Sequence, residues 1–411
     1  MKIKTVGVLS VCLLLSALAS SQTERTAPSL HLYDNFNQAS IDPSKSAGAP
    51  IVVDCGAGQS LSGTLANLNK LAPPAITVKG TCTEYVVIDG FNQLTVNGAP
   101  GAALQQPETN PQSNSYLLSI HNSRGVSISG LAVHSLPTIF SGIGIGGGSQ
   151  DVQLKNVTVD GSWGVVVYEA SQVWLVNLQV TITSGYAAVS AFDKSDVHMV
   201  NGMLERAADS NWYAGIAVGS GHVTMQGTVI RDMQQSIDIY GSGSVDLVYF
   251  DQTVPPRDVV LDNPAGTNFN GVYVGNGSSL NISTPLRINN AGQSSGWDTG
   301  GILVTDGSTM IVNGGASLTI SGSHGQGVMV ANDSHADLTS SSIVGGGHGG
   351  LVVVSLSTAT VLASTPLTVI GKNATDLFCD STSQIAGSLS ITSASTVQCT
   401  NLLQYSYGSL P

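Results

Sequence analysis

Residues 188–240 hold the chain's densest collection of groups able to do chemistry. Asp193, Lys194, Asp196, Glu205, Arg206, Asp209, Arg231, Asp232 and Asp238 put nine charges into 53 residues, about 17%, against 10% for the whole chain. Trp212, Tyr213 and Tyr240 lie among them. Aromatic rings stack on the apolar faces of sugars and carboxylates accept their hydroxyls, so Trp212, Tyr213, Tyr240 and Asp238 form a candidate carbohydrate-binding set. Lys194, Arg206 and Arg231 are candidate proton acceptors, because a basic side chain in a groove of low polarity gives up its proton more readily. The guanidinium proton is the more tightly held, which favours Lys194 or an arginine assisted by a cation. Asp193, Asp209 and Asp232 offer the hard oxygen ligands that suit Ca2+, the one cofactor the sequence suggests. The bland alternative is a solvated face with no chemistry at all.

Such residues need a scaffold, and the chain carries one as a repeat. In "GQGVMVANDS" (325–334), Gly327 is followed by apolar residues at +1 and +3 and by Ser at +7. The same frame begins at residues 116, 142, 164, 188, 215, 236, 271, 301, 350 and 376, at spacings of 21 to 35 residues. A period in this range marks a solenoid, in which each unit packs only on its neighbours. The units contain short alternating runs such as "VQLKNVTV" (152–159) and "VWLVNLQV" (173–180) rather than helical patterns. Three short strands per coil give an all-β, parallel β-helix of about ten or more coils, a rod of roughly 50 Å at the usual strand spacing. Residues +1 and +3 should fill the core, and Asn156, Asn177, Asn201 and Asn313 should sit in left-handed turns and stack. A helix near Ser60–Lys70 should cap the first coil.

The amino terminus reads as an export signal: Lys2 and Lys4, an apolar run from Val6 to Ala19 too short to span a bilayer, and a cut after Ala19. Residues 20–48 read as a linker, 49–400 as the β-helix and 401–411 as a tail. Cleavage removes two of the 14 basic residues and leaves 12 against 26 acidic, a formal charge of −14. That excess repels phosphate backbones, so nucleic acid is not an expected partner, and it disfavours acidic glycans unless calcium bridges the two. No later segment reads as a membrane span, and the expected location is secreted or periplasmic. Four cysteines then remain in an oxidising compartment. Three pairings are possible; the repeat favours Cys55–Cys82 and Cys379–Cys399, 27 and 20 residues apart, each about one coil.

Repeat, cap and export signal together resemble right-handed parallel β-helix proteins of the pectin-lyase-like superfamily, over roughly 50–400. The resemblance implies a fold shared by lyases, glycosidases, epimerases, esterases, adhesins and tailspikes, and so a partner that is a polysaccharide or cell-surface glycan. "GHG" at 347–349 is similar to a motif of polygalacturonase-like glycosidases, which would place Asp298, His324 and His348 ahead of three successive anchors. Glycoside hydrolysis needs two carboxylates, and only Asp298 stands in that column. His348→Ala is therefore expected to leave any activity within a few-fold. If the chain is an enzyme, a polysaccharide lyase is favoured over a hydrolase. The alternative is a non-catalytic surface, adhesive or structural rod, supported by Leu303, Met329, Val352 and Phe378, whose outward +2 positions form an apolar row that is either covered or a docking strip. The sequence sets no oligomeric state.

Overall fold

The computed structural model describes residues 49–404 except 109–115, 208–213, 252–254, 256, 264–268, 293–298, 340, 346–348, 362–366, 372–374, 388 and 391–396. The export signal and the linker lie outside these residues.

Each repeat folds into one coil. The chain runs along Ser141–Gly146, turns into Val152–Lys155 and again into Thr158–Gly161, then returns as Trp163–Val167 beside its starting strand. Repetition builds three parallel sheets, here called C, A and B in the order each coil visits them, with 13, 15 and 13 strands. The architecture is a right-handed parallel β-helix solenoid. The last strand of sheet A, Leu402–Gln404, carries the fold a little past residue 400.

The repeat frame is the register of sheet C. Residues +1 stack as Ile143, Val165, Val189, Ile216 and Ile237, and residues +3 as Ile145, Val167, Ala191, Val218 and Ile239. All ten are fully buried. Burial of each large aliphatic side chain is worth about 1.5–3 kcal/mol, and the stack repeats it coil after coil. The +7 serines form two ladders at the turn from C to A. Backbone N–H groups of Ser123, Ser149 and Ser171 each donate to the hydroxyl of the serine one coil on, at 3.1–3.3 Å. Ser278, Ser308, Ser334 and Ser357 repeat the pattern at 3.2 Å. A buried N–H needs a partner, and a short hydroxyl supplies it without widening the turn.

Asn156, Asn177 and Asn201 adopt φ of 51–54° in the turns from A to B. The Asn177 amide donates to Asn156 at 2.8 Å and the Asn201 amide to Asn177 at 3.4 Å. Asn313 departs from the expectation: it is not left-handed, and its amide bonds the Ser283 hydroxyl at 2.8 Å instead.

The cap is a helix over Leu61–Ala66, shorter than expected because Asn67 ends it, its amide donating to Gly63 O at 2.8 Å. Ser60 accepts from Gly63 N at the other end, and the Glu84 carboxylate accepts from Leu61 N at 2.6 Å and Ser62 N at 3.3 Å. Leu61 and Leu65 close the core. Cys55–Cys82 and Cys379–Cys399 are both bonded, and the latter joins register partners on adjacent strands of sheet C. Replacing either pair with serine is expected to cost about 2–4 kcal/mol. Denaturant titration of each variant checks this, and an unchanged midpoint for both would contradict it.

Candidate functional site

The charged residues expected to act together are spread over different faces. Asp193 and Lys194 form the exposed turn between sheets C and A, both left-handed. Arg231 is exposed on sheet B, and Arg206 ends a neighbouring sheet-B strand with a buried Nε that has no hydrogen-bond partner among the described residues. Asp232 sits in a turn from B to C, so Asp193 and Asp232 do not share a site. Asp209, Trp212, Tyr213, Asp298 and His348 lie outside the described residues, and His324 is exposed in a turn. Among the described residues the one cluster of three potential metal ligands is Cys55, Cys82 and Glu84, and its cysteines are joined as a disulfide. Of the expected carbohydrate-binding set, Asp238 and Tyr240 are the two among the described residues, and they stand together on the outer face of sheet C.

That face carries a strip of aromatic rings. Tyr116 stacks on Tyr168 at 5.8 Å and meets Phe140 edge-on at 5.8 Å; Phe140 meets Trp163 at 4.7 Å, and Trp163 meets Tyr186 at 5.5 Å. The Tyr186 hydroxyl donates to Asp238 Oδ2, and the Gln235 amide donates to Oδ1 at 3.0 Å. Glycines let the rings lie across the sheet. A Cβ on Gly144 would stand 2.4 Å from the Tyr116 ring, on Gly146 2.5 Å from Tyr168, and on Gly219 2.8 Å from Tyr240. Tyr116, Trp163, Tyr168, Tyr186 and Tyr240 are half-buried and Phe140 is exposed, so one face of the strip meets solvent.

Asp238 points outward from its strand yet is 6% exposed. Its register neighbours on that face are Ala217 and Tyr273. Burial pushes its carboxyl above the usual range, and the hydrogen bond from Tyr186 only partly offsets this. Burial and the adjacent Asp238 push the Tyr186 hydroxyl far up, so it stays a donor. On the strands of this sheet from Tyr116 to Val274, Asp238 is the sole carboxylate, which leaves no second one there for two-carboxylate hydrolysis.

The apolar row continues the same column from Tyr273 through Leu303, Met329, Val352 and Phe378. Leu303 is 8% and Val352 1% exposed, while Met329 and Phe378 are half-buried, so the row is covered at two positions and partly open at the other two.

Sequence reading missed a second network, on sheet A. His222 Nδ1 meets Asp196 at 2.9 Å and its Nε2 meets Asp246 at 3.1 Å, while His198 Nε2 meets the other Asp196 oxygen at 3.0 Å. Trp174 stacks on His198 at 4.0 Å. Two flanking carboxylates require both His222 nitrogens to donate, and these bonds, against opposing burial, raise its pKa to about 9. Burial raises Asp196 and Asp246, but the histidine bonds outweigh it and hold both below the usual range. Since the folded His222 value exceeds its ordinary 6.5, its contribution is complete below about pH 6.5 and is lost as pH rises through about 9. The carboxylates contribute above their ordinary 3.8 and lose their effect as pH falls through their lowered values. Denaturation midpoints are therefore expected to fall between pH 6.5 and 9, and His222→Gln to flatten that fall. Equal slopes in the two proteins would show that the network does not couple to folding.

The fold and strip together define the class: a parallel β-helix with an aromatic outer face. Among solved structures, the chain is similar to PfbA, a surface adhesin of Streptococcus pneumoniae, at 12% identity over 86% of this chain and 87% of that one, TM-score 0.33. It is similar to the A-module of the mannuronan C-5 epimerase AlgE6 of Azotobacter vinelandii, at 12% identity over 85% and 94%, TM-score 0.34. An alginate lyase from Paenibacillus matches at 11% identity over 86% and 99%, TM-score 0.28. No family model and no curated protein sequence matches the chain.

Proposed function

We propose that this protein is an exported β-helix that binds a glycan along the outer face of sheet C. The observation that carries the reading is the run of rings from Tyr116 to Trp163 and Tyr186, half open to solvent and ending at the buried Asp238. Stacked rings take the apolar faces of sugars, while the half-buried Tyr186 and Tyr240 offer hydroxyl groups for those of the glycan. The two disulfides suit an oxidising compartment, and no helix among the described residues is long and apolar enough to cross a membrane.

A catalytic version of this reading rests on Asp238 and Tyr186, a buried carboxyl hydrogen-bonded to a phenol, which is an arrangement able to hold and pass a proton. In that version the dispersed Lys194, Arg206 and Arg231 do not supply the base. Purified protein tested on a polysaccharide panel, scoring retention, unsaturated products and new reducing ends separately, distinguishes binding, elimination and hydrolysis. Trp163→Ala is expected to weaken retention about tenfold or more, which is about 1.4 kcal/mol. Wild-type retention by that variant would remove the strip from the proposal.

A further inference from the structure

We propose that the sheet-C strip takes an uncharged glycan and turns away acidic polysaccharides; this rests on the glycan-binding reading above. None of the 13 strands of sheet C contains Lys or Arg. The basic residues found on strands all belong to the other two faces: Lys79 and Lys155 on sheet A, and Arg206, Arg231 and Arg287 on sheet B. Along the strip the turns leaving sheet C carry Asp151, Glu169 and Asp193 against Arg124 and Lys194, and in the coils beyond it they carry Asp306, Asp333 and Asp380. Arg124 is already tied to Asp151 at 3.1 Å. A uronate or sulfated chain laid along the rings would therefore meet charge of its own sign at the edge. At the end of the strip it would meet Asp238, a buried carboxyl whose hydrogen bonds come from neutral groups, Tyr186 and Gln235. Like charges brought together in a partly desolvated groove cost binding energy that stacking does not return.

Calcium could bridge two acidic partners only where several oxygen ligands converge. Asp238 is the only carboxylate on the strip's strands, and among the described residues no three carboxylates of the acidic turns converge on one point. A neutral sugar needs none of this: apolar faces for the rings, and hydroxyl, amide and carboxyl groups for its own hydroxyls.

The test measures retention of the full-length protein on a neutral β-glucan, a galactomannan, alginate and polygalacturonate, at low and physiological salt, with calcium and with a chelator. At least one neutral polymer is expected to retain the protein at both salt levels, and both acidic polymers to bind at least about tenfold more weakly in every condition. Retention on alginate or polygalacturonate equal to that on the neutral polymers overturns the inference and leaves glycan binding standing. Retention on none of the four, by protein with a native circular dichroism spectrum, overturns glycan binding itself. Phe140→Arg, at an exposed position in the strip, supplies the missing cation. It is expected to confer binding to the acidic polymers at low salt that disappears as salt is raised. Failure to gain that binding would show that charge is not what turns acidic chains away, and the inference falls.

Discussion

Gly161→Ala is expected to destabilise the protein by about 3 kcal/mol or more, an unusually large effect for one methyl group. Gly161 sits at φ 121°, a conformation open in practice only to glycine, and a Cβ there would lie 1.7 Å from the Ser135 carbonyl oxygen and 2.5 Å from its hydroxyl. The obstacle is backbone, so it cannot swing aside as a long side chain would. Relief requires the Gly161 coil to move although hydrogen bonds hold it on both sides: Ser135 N to Asp160 O at 2.8 Å and Ser162 N to the Ser135 hydroxyl at 3.1 Å join it to the preceding coil, and Thr183 N to Gly161 O at 2.6 Å joins it to the next. Two other glycines separate the causes. Gly315, at φ 97° with open space around it, should show backbone strain alone, on the order of 1 kcal/mol. Gly314 has open space and an ordinary φ, and alanine there should be nearly neutral. Denaturant midpoints for the three alanine variants should fall in that order of damage. If Gly161→Ala costs no more than Gly315→Ala, the steric account is wrong.

Changes at the Tyr186–Asp238 pair are expected to move stability in opposite directions. Tyr186→Phe keeps the ring but removes the hydroxyl, leaving Asp238 Oδ2 buried without its donor, at a cost of about 1–3 kcal/mol. The same change should raise the Asp238 pKa further, because the lost bond is what lowers it. Asp238→Asn removes a carboxyl whose ionised form is disfavoured by burial, and should stabilise the fold at neutral pH. The sign follows from linkage: a folded pKa above the ordinary 3.8 gives stability that is complete below pH 3.8 and lost as pH rises through the folded value. The gain from asparagine should therefore vanish in acid. A residue that burdens the fold at the end of an aromatic strip is the kind kept for function, so glycan retention should fall in both variants. An Asp238→Asn protein less stable than wild type at pH 7 would mean that the carboxylate is structurally favoured and the functional argument fails.

How far the sequence reached depends on the level. The anchor, +1, +3 and +7 positions determined the coils, because a narrow core and a buried N–H admit few residue types at those points. The same frame paired the cysteines, since one coil separates each pair, and it placed Asn156 and Asn177 in left-handed turns. The aromatic strip left a signal that went unread: Phe140, Trp163 and Tyr186 stand one or two residues ahead of their anchors, in the same turn in which Asp298, His324 and His348, two or three residues ahead, drew notice.

What only the tertiary structure decided was which residues share a face. A coil turns through three sheets within one repeat, so residues close in sequence, such as Lys194, Arg206 and Asp238, point in different directions. Residues about one repeat apart become neighbours. Spacings of 21 to 35 residues absorb turns of different length, and a linear count cannot tell which turn took the extra residues. Charge density along the chain singled out 188–240, and the coils distribute its members over different faces. The pairing of Tyr186 with Asp238, 52 residues away, and the His222 network on sheet A came into view only once the strands were stacked in register.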